Sequence, residues 1–412
     1  MNEHSPEVVI VGGGPCGSFT ALNLARKGRD VHVYEEHDTI GSPCHCAGHL
    51  TLEGLRLLEL HPLPSEIIEN TYYAAVFHSP KGIQFPIRFS SPVTCSVNRS
   101  EFDKYLAKKA EEAGAHYHLN SRVNSLITHN GRVTGVTVKR EKTEEKISAK
   151  VVVDAEGISS RILRQAGLRP SHKLVKAVQA EVDNPQHLKT DTVEIFLGKD
   201  YAPGFYAWLM PQKDDTAKVG LATRNGNPLK LLHKMMSEHP TASQKLRSAT
   251  VSTTTFHCIP LGGPIPQTFT DGFLAVGDAA SQVKPTTGGG VIFGMTCAKI
   301  AAQVIHDSLT KTDSSSNFLR EYQRKCNKTL GAEIRVMLLI RKILDTLPNE
   351  KLDKIFSFSK KMELNNTLKD FKNVDFQAHS LLHLLYDPRL LATLLYSFLS
   401  YLSANPNTNR IN

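Results

Sequence analysis

Residues 8–25 restrict the fold most, because a β-branched strand there runs through spaced glycines into a helical apolar pattern. The strand reads Val-Val-Ile-Val at 8–11, and Gly12, Gly14 and Gly17 follow it. Gly12 permits a tight turn, Gly14 lets the backbone approach a pyrophosphate, and Gly17 lets helix and strand pack closely. The helix N-terminus offers free N–H groups to phosphates. The segment therefore predicts a Rossmann-like unit that binds a dinucleotide.

An acidic residue stands where this unit needs one. A second strand, residues 30–34, ends at Glu35, about 20 residues after the glycines. A carboxylate at this position accepts hydrogen bonds from the adenosine ribose and repels a 2′-phosphate. The pattern therefore favours FAD or NAD over NADP.

Charge and composition exclude several classes of protein. The 412 residues suit two packed domains, or one domain with a helical tail. The net charge is +9, from 49 Lys and Arg against 40 Asp and Glu. There is no run of five or more basic residues, so nucleic acid is not an expected partner. No apolar run reaches the roughly 18–20 residues of a spanning helix.

The cysteines indicate a reducing compartment. There are seven, an odd number, and no basic region with a cleavage site precedes the strand at 8–11. The cytoplasm is the expected location. Cys44 and Cys46 form a C-x-C pair with no second pair at zinc spacing, so no metal site is expected.

A second strand–turn–helix pattern lies near residue 277. Residues 272–280 read as a buried strand that ends in Gly-Asp, and a triple-glycine loop leads into a helix expected over 292–308. This pattern resembles the second FAD fingerprint of glutathione-reductase-like flavoproteins, in their aromatic-hydroxylase branch. The resemblance implies FAD, with Asp278 bonding the ribitol. It further implies that the pyrophosphate or the flavin pyrimidine edge meets the backbone of Gly288, Gly289, Gly290 and Val291.

Further cofactor contacts follow from the same resemblance. Arg99, at the start of a helix expected over 101–113, matches an arginine that contacts FAD. Val123 matches a position whose backbone binds adenine, and Cys16 lies inside the first glycine motif. Residues 151–161 resemble the D-G-x-x-S-x-x-R segment of that branch, but Glu156 stands where Asp is usual. That departure weakens any nicotinamide contact there.

Two narrower motifs concern the substrate. The spacing of Pro203, Tyr206, Trp208 and Pro211 resembles the P-x-x-Y-x-W-x-F-P motif of geranylgeranyl reductases, with Met replacing Phe at 210. Loop 41–50 resembles the Cys-Ala/Gly loop near the flavin in archaeal members. The resemblance implies catalytic roles for Tyr206, Trp208 and Cys46. It also implies that Cys46, Ala47 and His49 lie at the cofactor.

The chemistry of alkene saturation agrees with aromatic residues in this motif. An unactivated alkene needs a hydride at one carbon and a proton at the other, and water would quench the carbocation-like charge between them. A dry apolar tunnel gains about 0.8 kcal/mol for each buried CH₂ of a prenyl chain. Ring faces stabilise positive charge. Strand alternation predicts that Tyr206 and Trp208 share one face, above the flavin. Ordinary sheet-core aromatics are the alternative.

The predicted architecture is α/β. A discontinuous three-layer, Rossmann-like FAD-binding domain is expected from residues 1–71, 98–169 and 266–311. Residues 72–97 and 170–265 are expected to form an antiparallel-sheet substrate domain over the flavin, with strands at 192–198 and 217–223. A helical region is expected over 312–412.

The tail carries apolar helical patterns at 333–362 and 381–402. The second pattern is interrupted by Asp387-Pro388. One interpretation is a helical subdomain packed on the substrate region. The other adds shallow contact with the inner face of the membrane, which would admit a lipid substrate directly.

The leading functional hypothesis is FAD-dependent saturation of isoprenoid double bonds in geranylgeranyl chains of archaeal-type ether lipids. The first alternative is an FAD monooxygenase of the aromatic-hydroxylase type, which would need NAD(P)H and oxygen. A halogenase fits less well, because Tyr206 stands where its W-x-W-x-I-P motif has Trp. A non-catalytic flavin-bound regulator at the membrane is a further alternative. The electron donor stays open between reduced ferredoxin and NAD(P)H, as do the head group, the proton donor and the oligomeric state.

Overall fold

The computed structural model describes residues 5–141, 143–369, 375 and 387–404. Its contacts divide the chain into two compact units. The first unit comprises Met1–Cys44, Asn98–Lys173 and Pro260–Ile334. The second comprises His45–Val97, Leu174–Ile259 and Arg335–Asn412.

The strands, in chain order, are β1 (Val8–Val11), β2 (Val31–Tyr34), β3 (His49–Thr51), β4 (Ile68–Tyr72), β5 (Ala74–His78), β6 (Gln84–Arg88), β7 (Thr94–Val97), β8 (His116–His118), β9 (Arg122–His129), β10 (Arg132–Arg140), β11 (Thr143–Ser148), β12 (Val151–Asp154), β13 (Leu174–Asp183), β14 (Thr192–Phe196), β15 (Ala207–Pro211), β16 (Thr216–Thr223), β17 (Thr250–Pro260), β18 (Phe269–Thr270) and β19 (Phe273–Ala275). The helices are α1 (Pro15–Ala25), α2 (Leu52–Leu57), α3 (Arg99–Glu112), α4 (Arg161–Gln165), α5 (Pro228–Glu238), α6 (Ala242–Leu246), α7 (Val291–Thr310), α8 (Ser316–Thr346), α9 (Asn349–Lys361), α10 (Leu364–Leu368) and α11 (Pro388–Ala404). Two 3₁₀ turns cover Gly157–Ser159 and Gly277–Ala280.

The first unit is built on a six-stranded sheet in the order β18-β19-β12-β1-β2-β8. From β19 to β8 the strands are parallel. Every residue of β1 and β12 is buried, as expected for central parallel strands covered on both faces. Helix α1 packs with α3 and α7, and valines of β9 and β10 pack against β1 and β12. The Rossmann-like prediction is confirmed, with helices forming one covering layer and a three-stranded sheet the other.

The second unit contains a seven-stranded sheet in the order β17-β13-β16-β15-β14-β5-β6. The run from β13 through β16 and β15 to β14 is antiparallel. The strands predicted at 192–198 and 217–223 are β14 and β16. One face of this sheet packs on α5 and α6 through a cluster that includes Phe196 and Leu209.

The division between the units differs from the predicted domain boundary at residue 71. Residues 45–71 belong to the second unit, because β3 and β4 both pair with β7 in a small antiparallel sheet. This pairing joins segments far apart in sequence, and a local apolar pattern carries no signal for it.

The C-terminal region is helical, as predicted. The pattern at 333–362 falls on α8 and α9, which are separated at Pro348. Within the pattern at 381–402, residues 381–386 lie outside the described part of the chain, and α11 begins at Pro388. No helix among the described residues combines the length and the apolar character needed to cross a bilayer.

Candidate functional site

The first glycine motif connects β1 to α1. Gly12 has a φ of +97°, and a Cβ there would lie 2.6 Å from the carbonyl oxygen of Ala155. A Cβ on Gly17 would overlap the carbonyl oxygen of Gly12. Gly14, the N-cap of α1, has open space where its Cβ would stand and makes no side-chain cap. The motif therefore leaves a bare helix N-terminus for a phosphate group.

Glu35 follows β2 at the carboxyl edge of the parallel sheet, close to this motif. Its Oε2 accepts a hydrogen bond from the Gly13 N–H at 2.8 Å. Its Oε1 accepts one from the His37 N–H at 3.1 Å. These contacts fix the carboxylate at the end of the sheet where the ribose position is predicted.

Cys16 joins the two cofactor motifs by packing. A Cβ on Gly277 would lie 2.7 Å from the Cys16 Sγ, and a Cβ on Gly294 would overlap the same sulfur. Burial raises the pKa of the Cys16 thiol far above its usual range, so the side chain stays a neutral packing group.

Asp278 lies in the 3₁₀ turn after β19. Asp278 is half-buried. Its loss of hydration raises the pKa of the carboxyl to about 6, although nearby Arg99 acts to lower it. A Cβ on Gly290 would lie 2.7 Å from the Asp278 Oδ1, so the triple-glycine loop and the carboxyl are in close contact. Arg99 itself forms a two-pronged ion pair with Asp103 at 3.0 Å. The structure thus assembles Asp278, Arg99 and the glycine loop within one unit.

The predicted Gly288–Val291 segment forms the start of α7. Gly290 is the N-cap, has no side-chain cap, and no acidic residue occupies the first turn. The Gly288 N–H donates to the Lys284 carbonyl at 2.8 Å. A Cβ on Gly289 would lie 2.8 Å from the Lys284 Cε. Lys284 is a buried cation that the sequence reasoning missed, although it directly precedes the Pro-Thr-Thr-Gly-Gly-Gly run.

Val123 and the 151–161 segment are in contact within the first unit. Arg161 donates to the carbonyl oxygens of Val123 at 2.7 Å and Asn124 at 2.9 Å. The Val123 carbonyl therefore already accepts one hydrogen bond, and its adenine contact stays a prediction. Glu156 accepts hydrogen bonds from the Ile162 N–H at 2.6 Å and from Leu163. Glu stands at this position in place of the usual Asp, and its longer side chain caps α4.

The aromatic motif covers β15 and the residues just before it, in the second unit. The rings of Tyr206 and Trp208 meet edge to face with centroids 6.0 Å apart. The Trp208 Nε1–H donates to the Gln179 Oε1 at 3.3 Å. Phe205 also stacks on Tyr206, at 4.4 Å. Strict alternation fails for Phe205 because β15 begins only at Ala207.

The cysteine loop approaches the same sheet face. Ala47 packs into an apolar cluster with Trp208, Met210 and Tyr72. The Cys46 Sγ accepts a hydrogen bond from the Gly48 N–H at 3.5 Å. His49 is exposed, and its Nε2 lies 2.8 Å from the Thr94 Oγ1. The two narrow sequence motifs therefore come together within the second unit.

Arg341 is a further residue that the sequence reasoning did not select. It is only 4% exposed, and its guanidinium lies 5.1 Å from the Phe205 ring centroid. Its Nε lies 3.3 Å from the Asp345 Oδ1. The i, i+4 spacing of Arg and Asp was the available signal. Because the Arg341 side chain is buried, its charge faces the protein interior and not solvent.

The first unit fits a flavin dinucleotide. It offers bare N-termini at α1 and α7, room beside Gly14, a fixed carboxylate at Glu35 and a second carboxyl at Asp278. Two helix N-termini suit a pyrophosphate, and the two carboxyls suit the hydroxyls of ribose and ribitol.

Comparison with known proteins agrees with this geometry. The sequence matches the FAD binding domain family over residues 5–334, which is more than half of the chain. It is 34% identical over 355 residues to digeranylgeranylglycerophospholipid reductase 2 of Methanopyrus kandleri, covering 84% of this chain and 88% of that protein. The protein of the same name from Methanothermobacter thermautotrophicus is 34% identical over 386 residues, covering 89% and 97%.

A solved structure shares the fold. It is that of a geranylgeranyl bacteriochlorophyll reductase-like protein from Thermoplasma acidophilum, with a TM-score of 0.83 and 24% identity, covering 95% of this chain and 99% of that one. The family match makes FAD the cofactor of this protein. The chain belongs to the FAD binding domain family and, within it, to the digeranylgeranylglycerophospholipid reductases.

Proposed function

We propose that this protein saturates isoprenoid double bonds in the geranylgeranyl chains of an ether-lipid precursor, using FAD. Its similarity to named reductases over most of their length supports this reaction. The structural observation that carries the proposal is the apolar cluster of Tyr72, Val193 and Met210, against which both Ala47 and Trp208 pack. This cluster brings together the cysteine loop and the aromatic motif, which are narrower than the general flavin motifs.

We propose the apolar face around Trp208 as the prenyl-binding surface. Met210, Val193 and Tyr72 are buried there, with Ile195 and Trp208 partly buried beside them. The Trp208 Nε1–H is engaged by Gln179, which orients the indole and fixes the direction of its face. Apolar burial binds the chain and excludes water, and an aromatic face favours positive charge that develops on carbon.

FAD, once reduced, supplies the hydride for this chemistry. The complementary proton requires a side chain that still carries one at neutral pH. Burial raises the pKa of Tyr206 to about 12, so its phenol stays protonated throughout the physiological range. The thiol of Cys46 is the second candidate group of the two motifs. We propose Tyr206 to hold the proton and to orient Trp208, and Cys46 to act near the reacting alkene.

We further propose peripheral contact with an anionic membrane surface through α11. Leu391, Leu395 and Leu399 lie on one stripe of this helix, and Leu395 is 60% exposed. Helix α9 packs beside it, with Phe358 stacked on Tyr396 at 4.8 Å. Exposed lysines of α9 supply complementary charge: Lys354, Lys360 and Lys361. A leucine stripe flanked by lysines is typical of an interfacial helix. For the electron donor we propose either reduced ferredoxin or NAD(P)H.

An anaerobic half-reaction tests the reductase function. The purified yellow protein is reduced with dithionite, a digeranylgeranylglyceryl phosphate is added, and flavin absorbance and lipid mass are recorded. We expect the flavin to reoxidise without oxygen while each reduced double bond gains two hydrogens. A flavin that stays reduced until oxygen enters, with unchanged lipid mass, would overturn the proposal and favour the monooxygenase alternative. Adding reduced ferredoxin or NAD(P)H to the oxidised protein then identifies the donor.

A further inference from the structure

Three metal-ligating side chains meet on the first unit at the amino ends of two neighbouring strands. Asp30 directly precedes β2, His32 is the second residue of β2, and His116 begins β8. The two strands are parallel, and His32 pairs with His116 in register. Side chains of directly paired residues project from the same face of a sheet. The backbone therefore places both imidazoles beside the carboxylate.

The distances match those of a metal site. The His32 Nε2 lies 3.3 Å from the Asp30 Oδ1, and the His32 and His116 ring centroids are 4.9 Å apart. One ligand atom from each residue lies within 4.8 Å of the others. Zn²⁺ binds imidazole nitrogen and carboxylate oxygen at about 2.0–2.2 Å with tetrahedral angles, so two such ligands stand roughly 3.4 Å apart. Asp30 and His32 already have this separation, and exposed His116 has room to approach.

We propose that Asp30, His32 and His116 form a binding site for a transition-metal ion of the Zn²⁺ class, with water in the fourth position. Two imidazoles and one carboxylate suit zinc, nickel or iron, whereas Mg²⁺ and Ca²⁺ prefer ligands that are all oxygen. No cysteine is required, so this site is independent of the C-x-C pair at Cys44 and Cys46.

The site is separate from the dinucleotide site. Parallel strands carry their ligand-binding loops at the carboxyl edge of the sheet, where Gly12 and Glu35 lie. Asp30 and His116 lie at the amino edge. The four residues of β2 separate Asp30 from Glu35, and five steps of 3.3 Å along a strand span roughly 16 Å. A metal ion could therefore bind while FAD is bound.

An outer partner orients His32. The His118 Nε2 lies 3.0 Å from the His32 Nδ1, and metal-bound histidines hydrogen-bond through the second ring nitrogen in this way. When the His32 Nε2 binds metal, its Nδ1 carries the proton and donates to the His118 Nε2. The His118 proton must then reside on Nδ1, which lies 3.3 Å from the Arg140 Nη2. Both of these groups would be donors, so metal binding must weaken the Arg140 contact.

Calorimetric titration of the untagged, FAD-loaded protein with ZnCl₂ tests the site. The variants are His32→Gln, His116→Ala and Arg140→Gln, with His129→Ala as an exposed-histidine control. We expect one zinc ion per chain. Loss of His32 or His116 should reduce affinity by more than the 10- to 100-fold that is typical of outer-partner mutations. Arg140→Gln should tighten binding, because it removes the competing donor, and His129→Ala should match the wild type.

Flavin content and melting temperature show whether each variant is folded. Both should be unchanged in His116→Ala, because the His116 side chain is exposed. Co²⁺ should give d–d bands at wavelengths beyond flavin absorption, and these bands should be absent in His32→Gln. The proposal is overturned if zinc affinity is the same in the wild type, His32→Gln and His116→Ala. It is also overturned if Mg²⁺ competes with zinc at equal concentration.

Discussion

The indole of Trp208 lies directly over Gly220. The two residues are paired across β15 and β16, and a Cβ on Gly220 would lie 2.6 Å from the Trp208 Cε2. The Trp208 Nε1–H, next to Cε2 on the same edge of the ring, donates to Gln179. The position of Trp208 therefore depends on the absence of a side chain at Gly220 as much as on its own hydrogen bond.

Gly220→Ala should displace Trp208 and lower prenyl reduction. Overpacking of a filled site costs about 1–3 kcal/mol, and misplacement of a group by about 1 Å can reduce rate as much as 100-fold. FAD content should be unchanged, because the glycine motifs belong to the other unit. Turnover and the flavin-to-protein absorbance ratio check this expectation.

A double-mutant comparison provides the control. If Gly220→Ala acts through the indole, then Trp208→Ala combined with it should be no slower than Trp208→Ala alone. Trp208→Ala by itself should lose turnover and keep FAD. Parallel loss of turnover and FAD would instead indicate that Trp208 has a folding role.

Gly14→Ala and Gly17→Ala should separate cofactor binding from folding. A Cβ at residue 14 meets open space, whereas a Cβ at residue 17 overlaps the Gly12 carbonyl oxygen. We expect Gly14→Ala to fold with a near-normal apoprotein melting temperature and to bind FAD weakly, because its methyl group occupies the space that the pyrophosphate approaches. Gly17→Ala should lower the melting temperature of the apoprotein. Normal FAD affinity in Gly14→Ala would refute the assigned phosphate contact.

Asp278 should make apoprotein stability depend on pH. Burial raises the pKa of its carboxyl to about 6 from its ordinary 3.8. Between these values the folded chain holds the proton and the unfolded chain releases it, so the free energy of unfolding falls as pH rises from about 4 to about 6. The total loss is about 3 kcal/mol at 1.36 kcal/mol per pKa unit. Asp278→Asn should remove this slope and stabilise the apoprotein above pH ~6 by a similar amount.

Urea unfolding of the apoprotein on either side of pH ~6 measures this effect. Asp191 provides a control of opposite sign, because a hydrogen bond from Arg88 lowers the pKa of its exposed carboxyl. Its small contribution is present at neutral pH and is lost as pH falls through its folded pKa. Identical pH profiles for the wild type and Asp278→Asn would contradict the assigned burial.

The leucine stripe of α11 should control vesicle binding. Leu395→Glu places a charge on the exposed stripe and should abolish co-sedimentation with vesicles containing anionic lipid. Leu57→Glu, at a leucine 51% exposed on α2, is the matched control and should bind like the wild type. High salt should weaken binding by screening the lysines of α9. Equal binding of both variants would contradict the membrane contact.

The sequence predicted the local backbone on which the proposed cofactor contacts lie. Gly12, Gly17 and Glu35 act within one strand–turn–helix unit, and their spacing alone determines where they lie. The start of α7 behind the triple glycine is a similar case, since a glycine run before an apolar helical pattern indicates an uncapped helix N-terminus.

Long-range relations were harder to predict. The packing of Ala47 and Trp208 against one apolar cluster arises from the pairing of distant strands, and composition carries no signal for it. The position of His116 beside His32 depends on which strand becomes the neighbour of β2. Glu156 caps α4 only because of the conformation of the turn between them. The presence of Glu in place of the usual Asp does not reveal that conformation.

The sulfur of Cys16 has a consequence for biosynthesis. It lies against Gly277 and Gly294, and β1 has β12 as one of its two neighbours. On the ribosome, the segment that contains Cys16 is made early, while the residues that complete its surroundings emerge much later. The nascent chain therefore cannot close its nucleotide pocket until α7 has left the exit tunnel. Flavin capture should then be a late, nearly post-translational event, with the glycine turn exposed until that point.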